Sequence, residues 1–404
     1  MNPRLAPLLL SALLACSRGE PAPTPPASAA SDPAPPAASL APPAAPPPSG
    51  ASAEAAPRSS PLTDTELGAL IRKISEEGGK FPSDNYISNE TSFLHVAADL
   101  ENHKGGAYLG VGPEQNFTYL AILEPELAFV LDIRRDNLVL HLLYKVLFEE
   151  SETRGAFLAA LTSRPAPSLP GSAPVERVCE AVQRERHDPS REARTRQRVV
   201  SRAQALGLSL SADDRKHLTE ALAAFGKKGM DIHYTMEGSA RKYPPLSELL
   251  ATRDDQGKPR SFLADEESYR KVRRMQLENR VIPLVGDLAG TGALPRLADE
   301  LKRRNTPVRV FYVSNVEQYL FTPAKTWAQW IRNVRALPWA DDGLLLRVYF
   351  DQGRAHPRQR PGHRTTSLTQ PTSAFLARAD KGGWKSWWEV TQSGEKPAKK
   401  TRSD

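Results

Sequence analysis

Apolar residues recur along the chain with two periods, and the periods sort it into helices and strands. Leu67, Leu70, Ile71 and Ile74 stand at i, i+3, i+4 and i+7 behind Thr63-Asp64-Thr65-Glu66, a capping-box pattern. A helix therefore starts near Thr63 and stops before Gly78-Gly79. Ala107 to Leu109 is a short apolar run broken by Gly110-Val111-Gly112-Pro113, and Asn116 to Leu123 carries Phe117, Leu120 and Ala121 at helical spacing. Leu127 to Ile133 is apolar except for Asp132, as in a strand buried on both faces of a parallel sheet. Helices are predicted over 91–102, 137–148 and 152–161. The proline-rich break from Pro165 to Pro174 then opens a helical insertion, about 165–275, in which no catalytic constellation is visible. One of its helices starts at Ser211, carries Leu218, Leu222 and Phe225, and stops at Gly226. Further strands are predicted at Val281 to Val285, Val308 to Val313 and Leu344 to Phe350, with helices over 294–304 and around Trp327, Trp330, Ile331 and Val334. Trp384, Trp387 and Trp388 around Gly382-Gly383 predict a closing hairpin.

Strands alternating with helices specify an α/β domain, a doubly wound, Rossmann-like and mostly parallel sheet spanning 62–395. In such sheets ligands sit at the carboxyl ends of the strands, and Gly112, Asp132, Asp287 and Asn315 each fall at such an end.

Composition changes the picture mainly at the N-terminus. Residues 1–16 carry Arg4, an apolar run from Leu8 to Leu14 too short to span a bilayer, and a terminal Cys16, which together predict an export signal. The stretch 17–61 is a tether: Glu20 to Pro61 holds 14 of the chain's 36 prolines, padded with Ala and Ser, and has nothing to bury. A basic tail occupies 396–404. The formal charge of +7 does not favour nucleic acid, because 47 acidic residues are interleaved with 54 basic ones. Even the densest basic run, Arg184 to Arg202, holds Glu185, Asp188 and Glu192 and reads as a solvated helical face. Two cysteines, Cys16 and Cys179, make neither a disulfide framework nor a zinc site. Asp254-Asp255-Gln256-Gly257 reads as turn chemistry before it reads as a cation site.

The candidate chemistry is that of a nucleoside cofactor. Glycines at a strand end let backbone approach a ligand, the next helix offers unpaired N–H groups, and an acid on the neighbouring strand accepts from ribose hydroxyls. Gly110, Gly112, Asn116 and Asp132 fit this description, although Gln115 stands where the dinucleotide fingerprint needs a third glycine. The polar run Phe81 to Glu90, which contains Asn85, reads equally as a loop that caps the next helix and as a lid over the glycine turn. His141 lies on the first turns of its helix, a position more often structural than catalytic.

The phrases FPSDNYISNE, YLGVGPEQN, DIRRDN, VIPLVGDLAG and FYVSNVEQYLF resemble class I S-adenosylmethionine-dependent methyltransferases, and within them bacterial lipoproteins with a methyltransferase-like Rossmann domain. Leu13-Leu14-Ala15-Cys16 likewise resembles a lipobox, in which Cys16 is lipidated. The resemblance implies a seven-stranded sheet whose last strands form an antiparallel hairpin. It implies S-adenosylmethionine as cofactor, held by Gly110, Gly112, Asn116 and Asn85, with Asp132 on the ribose and Asp287 facing the adenine amino group. Asn315 would orient a substrate nucleophile, with Glu317 or His141 taking its proton. This chain reads Asn-Val-Glu-Gln where amine-methylating relatives carry Asn-Pro-Pro-Tyr or Asp-Pro-Pro-Tyr, and Tyr108 or Leu109 stands where an acid usually precedes the glycine turn. The expected setting is the cell envelope, with a membrane anchor at Cys16, a small-molecule ligand in the crevice, and a protein partner left open. The competing expectation is a non-catalytic envelope lipoprotein that uses the same crevice to bind another ligand.

Overall fold

The computed structural model describes residues 60–392. The export signal, Cys16, nearly all of the tether and the basic tail lie outside the described residues. Six strands form one sheet: β1 (Ala107–Val111), β2 (Leu127–Asp132), β3 (Val281–Val285), β4 (Val308–Ser314), β5 (Trp339–Phe350) and β6 (Thr365–Pro371). Their order across the sheet is β3-β2-β1-β4-β5-β6, with β1 to β5 parallel and β6 antiparallel to β5. Six strands are present among the described residues where seven are expected, and the antiparallel closing pair is β5 with β6.

The continuous apolar runs are strands for the expected reason. Every residue of β1 and β3, and all of β2 before Asp132, is buried, because helices cover both faces. The chain leaves β1 towards β2 on one side and returns from β3 to β4 on the other. The carboxyl ends of β1 and β4 therefore flank the switch point, where this class of sheet opens a crevice.

The first helix, Asp64–Ile74, begins at the expected capping box, with reciprocal hydrogen bonds between Thr63 and Glu66. Beyond it the chain covers the free edge of β3: the Glu76 amide donates to the Val285 carbonyl at 3.0 Å, and the Val285 amide donates to Ser75 Oγ at 3.1 Å. The insertion supplies helices Val175–Arg184, Pro189–Ala205, Ala212–Lys228, Leu246–Ala251 and Glu266–Leu277 between β2 and β3. The Ser211 capping box is formed, but the helix runs through Gly226 and ends at Gly229, whose φ of +58° with ψ of −132° favours glycine. In the basic helix, Arg202 pairs with Glu149 at 2.8 Å and with Asp64, which locks the insertion to the N-terminal helix.

Two other expectations are corrected. The helix expected over 91–102 is a 3-10 turn, Phe93–Val96, running into the short helix Ala97–Leu100. The tryptophan-rich end is helical, Thr372–Asp380 followed by Trp387–Gln392. Trp384 stacks on Phe375 with centroids 4.8 Å apart, and Gly382 and Gly383 turn the chain between the helices at positive φ. The partner of β5 is instead the polar stretch TTSLTQP, whose Thr365 and Ser367 hydroxyls bond to Ser92. Asp254 holds a turn, its Oδ1 accepting from the Gln256 and Lys258 amides at 2.9 Å each. Among the described residues no group of His, Cys, Asp or Glu is placed to hold a metal ion, and no helix is long and apolar enough to cross a membrane.

Candidate functional site

The loop after β1 is built from behind. Asn116, on the first turn of the helix Gln115–Leu123, is fully buried, and its Nδ2 donates to the carbonyls of Val111 (2.9 Å), Gly112 (3.2 Å) and Pro113 (2.7 Å). Its Oδ1 accepts from the Tyr108 hydroxyl at 2.8 Å. Gly110 lies inside β1, and a Cβ there would fall 2.0 Å from Asn116 Oδ1 and 2.6 Å from the Tyr108 hydroxyl. Its hydrogen is thus required by the tyrosine–asparagine bond. His141 Nε2 donates to the Gly112 carbonyl at 2.9 Å, and burial pushes its pKa down to about 4, so the ring is neutral near pH 7. Gly110, Asn116 and His141 therefore hold the loop and do not line a ligand site. His141 cannot reach a substrate as proton acceptor, because its ring packs between Phe117 and Tyr144 and its Nδ1, the nitrogen with the free lone pair, is buried away from the cleft.

In front of the loop lies a cleft of about 440 Å³, within the usual range for small-molecule sites. Gly112, Asn85, Asp132, Asp287 and Asn315 all line it. Gly112 has φ +78°, and the nearest atom a Cβ would meet there is Asn85 Nδ2 at 3.9 Å, so the loop backbone stands open to the cleft. Asp132 ends β2, opposite Val285 in β3. Its Oδ1 accepts from the Arg134 amide at 2.9 Å and from Arg134 Nε at 3.3 Å, while its Oδ2 pairs with Nη2 at 3.0 Å. The same guanidinium reaches the Ser83 carbonyl at 3.3 Å, tying the Phe81–Glu90 run to the strand end. Asp287 turns its Oδ1 onto the Ala289 amide (2.8 Å) and donates its own amide to Glu76 Oε1 (2.7 Å). Glu76 Oε2 accepts from Ala293 at 3.0 Å, occupying the start of the helix Ala293–Arg303.

Glu317 is not in the cleft. The short helix Val316–Leu320 turns it inward, fully buried, where it accepts from Trp330 Nε1 (3.0 Å) and pairs with Arg347 (Nε to Oε2, 2.6 Å). A carboxylate enclosed in this way by an indole and a guanidinium is a core ion pair, not a proton acceptor for a ligand.

The groups missed in the sequence are Glu90, Ser314 and a stretch of the insertion. Glu90 is only 1% exposed, yet it forms part of the cleft wall. Its Oε2 accepts from Gln115 Nε2 at 2.6 Å and its Oε1 from the Ser314 hydroxyl, and burial raises its pKa. Ser314 ends β4 at φ +50°, a conformation costly for a residue with a Cβ. Behind Gln115, Ser88 Oγ donates to its Oε1 at 2.6 Å, and the Ser88 amide donates to Glu114, whose pKa burial raises to about 7. From the insertion come Tyr234, Met236, Arg241 and Tyr243. They are brought there by Thr235, whose amide donates to Asp84 Oδ1 at 3.1 Å and whose hydroxyl donates to Oδ2 at 2.5 Å. The insertion therefore furnishes one wall of the cleft. The Phe81–Glu90 run lines it as well; Ser92, the residue positioned to cap the next helix, makes no side-chain cap.

Residues 86–400 match the model of a family described as a domain of unknown function, DUF7790, and the chain belongs to that family. No curated protein matches it. Among solved structures, the rRNA methyltransferase aviRa from Streptomyces viridochromogenes is similar at 12% identity, over 73% of this chain and 94% of that one. The TM-score of 0.27 is too low for that likeness to carry an argument.

Proposed function

We propose that this family member is a methyltransferase-like protein that binds S-adenosylmethionine in the strand-end cleft. One observation carries the reading: Gly112 at positive φ, Asp132, Asp287 and Asn315 come from the ends of four different strands and line one cleft of nucleoside size. The residues fit the group. The open backbone at Gly112 leaves room for close approach, Asp132 offers carboxylate lone pairs to ribose hydroxyls, and Asp287 Oδ2 is available to an adenine amino group. The bound cofactor would supply an activated methyl group. The protein's share is to position the acceptor with Asn315 and to exclude water with the rings of Phe81, Tyr234, Tyr243 and Tyr319.

A second reading, a non-catalytic binding module, is favoured by the Arg134 clamp, since both Asp132 oxygens are already engaged. Calorimetry of the full chain with S-adenosylmethionine separates the two. Each hydrogen bond to a charged group contributes about 1.5–3 kcal/mol, so Asp132→Ala should weaken binding by at least ~10-fold. No heat at millimolar ligand leaves only the binding module.

The lipobox-like Leu13-Leu14-Ala15-Cys16 supports an envelope lipoprotein tethered through Cys16. Metabolic labelling with a fatty acid tests it: the wild type should take up label and Cys16→Ala should not, and equal labelling of the two rejects the anchor. Export also bears on the cofactor, because a permanently charged sulfonium made in the cytoplasm crosses hydrocarbon poorly.

A further inference from the structure

Among the described residues the buried acids are either paired with cations or, at Glu90 and Glu114, held by neutral donors. Glu317 has Arg347, Asp132 has Arg134, Asp214 has Arg135, and Glu300 has Lys73, Arg303 and Arg304. Glu90 is the exception on the cleft wall. Both its oxygens accept from neutral donors, Ser314 and Gln115, and no Lys, Arg or His forms an ion pair with it among the described residues. A buried acid that lines a ligand cleft without a cation is poised to take one from the ligand.

Its surroundings point the same way. Ser314 is held at φ +50° with its hydroxyl on Glu90, and backbone strain of this kind persists where the structure around it over-determines the position. Asn315, next to Ser314, adds a carbonyl acceptor on the same wall. The rings of Phe81, Tyr234, Tyr243 and Tyr319 face the same cleft, and π-faces attract cations. We propose that the Glu90–Ser314–Asn315 end of the cleft is an amine-binding subsite, in which Glu90 gives its proton to solvent as the ligand's ammonium nitrogen docks. The inference rests on the cleft being the ligand site. The amine has two chemical sources, the amino-acid end of the cofactor or the methyl-accepting substrate.

The titratable groups around Glu90 are Glu114, Tyr108, Tyr119 and Tyr312; burial raises the pKa of all four, so near neutral pH the three phenols are uncharged. The other charges lining the cleft are Lys80, Asp132, Arg134, Arg241 and Asp287. Arg134 is taken by Asp132, and Arg241 lies over the rings of Tyr243 and Phe350. Asp287 has no cation partner among the described residues either, but it follows β3, three strands away from Ser314 in the sheet, so Glu90 is the acid left to neutralise an incoming ammonium near Ser314.

The test is isothermal titration of the full chain with two matched probe pairs, in buffers of different ionisation enthalpy, from about pH 5 to about pH 8. Tyramine against tyrosol represents the acceptor source, and S-adenosylhomocysteine against its deaminated analogue the cofactor source, with methylthioadenosine as the nucleoside alone. In at least one pair the amine-bearing member should bind ~10-fold or more tightly than its partner, the discrimination expected of a site whose polar group is otherwise left unpaired. Its binding should release a proton, with the release falling as pH rises. Glu90→Gln should abolish both the preference and the release, while Glu114→Gln should keep them. No preference in either pair, or a preference that survives in Glu90→Gln, overturns the inference. Should Glu90→Gln fail to fold, wild-type amine binding without proton release overturns it equally. Methylthioadenosine keeps the two readings apart. Its silence beside a Glu90-dependent tyramine preference sinks the cofactor alone, and its binding without any amine preference sinks the subsite alone.

Discussion

Replacing Glu317 by Gln decides whether this acid is a core ion-pair member or a reactive group. In the wild type its side chain is fully buried and accepts from Trp330 Nε1 at 3.0 Å and from Arg347 Nε and Nη2 at 2.6 and 3.3 Å. The amide keeps one acceptor oxygen but removes the negative charge and sets its N–H₂ against an N–H of Arg347. Arg347, itself 1% exposed, is left with neutral acceptors, that oxygen and Gln370 Oε1 (2.6 Å in the wild type). Breaking a buried pair by removing one partner costs roughly 3–5 kcal/mol, because the remaining charge has no counter-ion. Unfolding entropy of ~2.1 cal/mol/K per residue over roughly 330 folded residues gives ~0.7 kcal/mol/K, so ~4 kcal/mol lowers Tm by ~6 °C. Thermal melts of the wild type and Glu317→Gln measure the shift directly. The double variant Glu317→Leu/Arg347→Met should recover most of the loss, since apolar replacements of a buried pair are often neutral. A single-variant drop of under ~1 °C would mean that Glu317 is solvated, and would return it to the set of candidate proton acceptors.

Two further perturbations separate support of the site from the site itself. Gly110→Ala places a methyl 2.0 Å from Asn116 Oδ1 and should cost ~1–3 kcal/mol in urea melts. Gly112→Ala meets no atom closer than 3.9 Å, so only its φ of +78° is penalised, by ~1–2 kcal/mol, while nucleoside binding weakens further because the methyl stands at the cleft; a larger loss of stability in Gly112→Ala than in Gly110→Ala contradicts the assignment. Glu114 is pushed up to about 7 by burial, so the folded chain keeps a proton that the unfolded chain loses above about pH 4.5. Its contribution is fully present below that pH and is lost as pH rises through about 7. Between these values wild-type stability should fall relative to Glu114→Gln, by up to ~3 kcal/mol. Parallel stability profiles for the two proteins reject the assignment.

Most of the fold was legible because its signals are local. The capping boxes at Thr63 and Ser211 and the apolar runs of β1 to β5 follow from residue type and spacing over a few positions. The strand β6 was not legible, because TTSLTQP has no apolar pattern; it becomes a strand only where β5 and Ser92 supply partners for it. The carboxyl ends of β1 to β4 pointed to Gly112, Asp132, Asp287 and Asn315, which line one cleft. Gly110, Asn116 and Glu317 lie within a few residues of those ends, and His141 on the helix after β2, yet none of them lines the cleft. A strand alternates its faces and a helix turns 100° per residue, so neighbours in sequence face opposite environments.

Sequence by itself determined that this chain makes a parallel α/β sheet and where its strands end, since burial on both faces demands unbroken apolar runs. Only the tertiary structure decided which polar groups meet at those ends. Arg134 closes on Asp132, Asp84 holds Thr235 across 151 positions, and Glu90 comes to rest against Ser314 across 224. Each pairing depends on packing between segments distant in sequence, and no local pattern encodes the direction in which a polar side chain will then point.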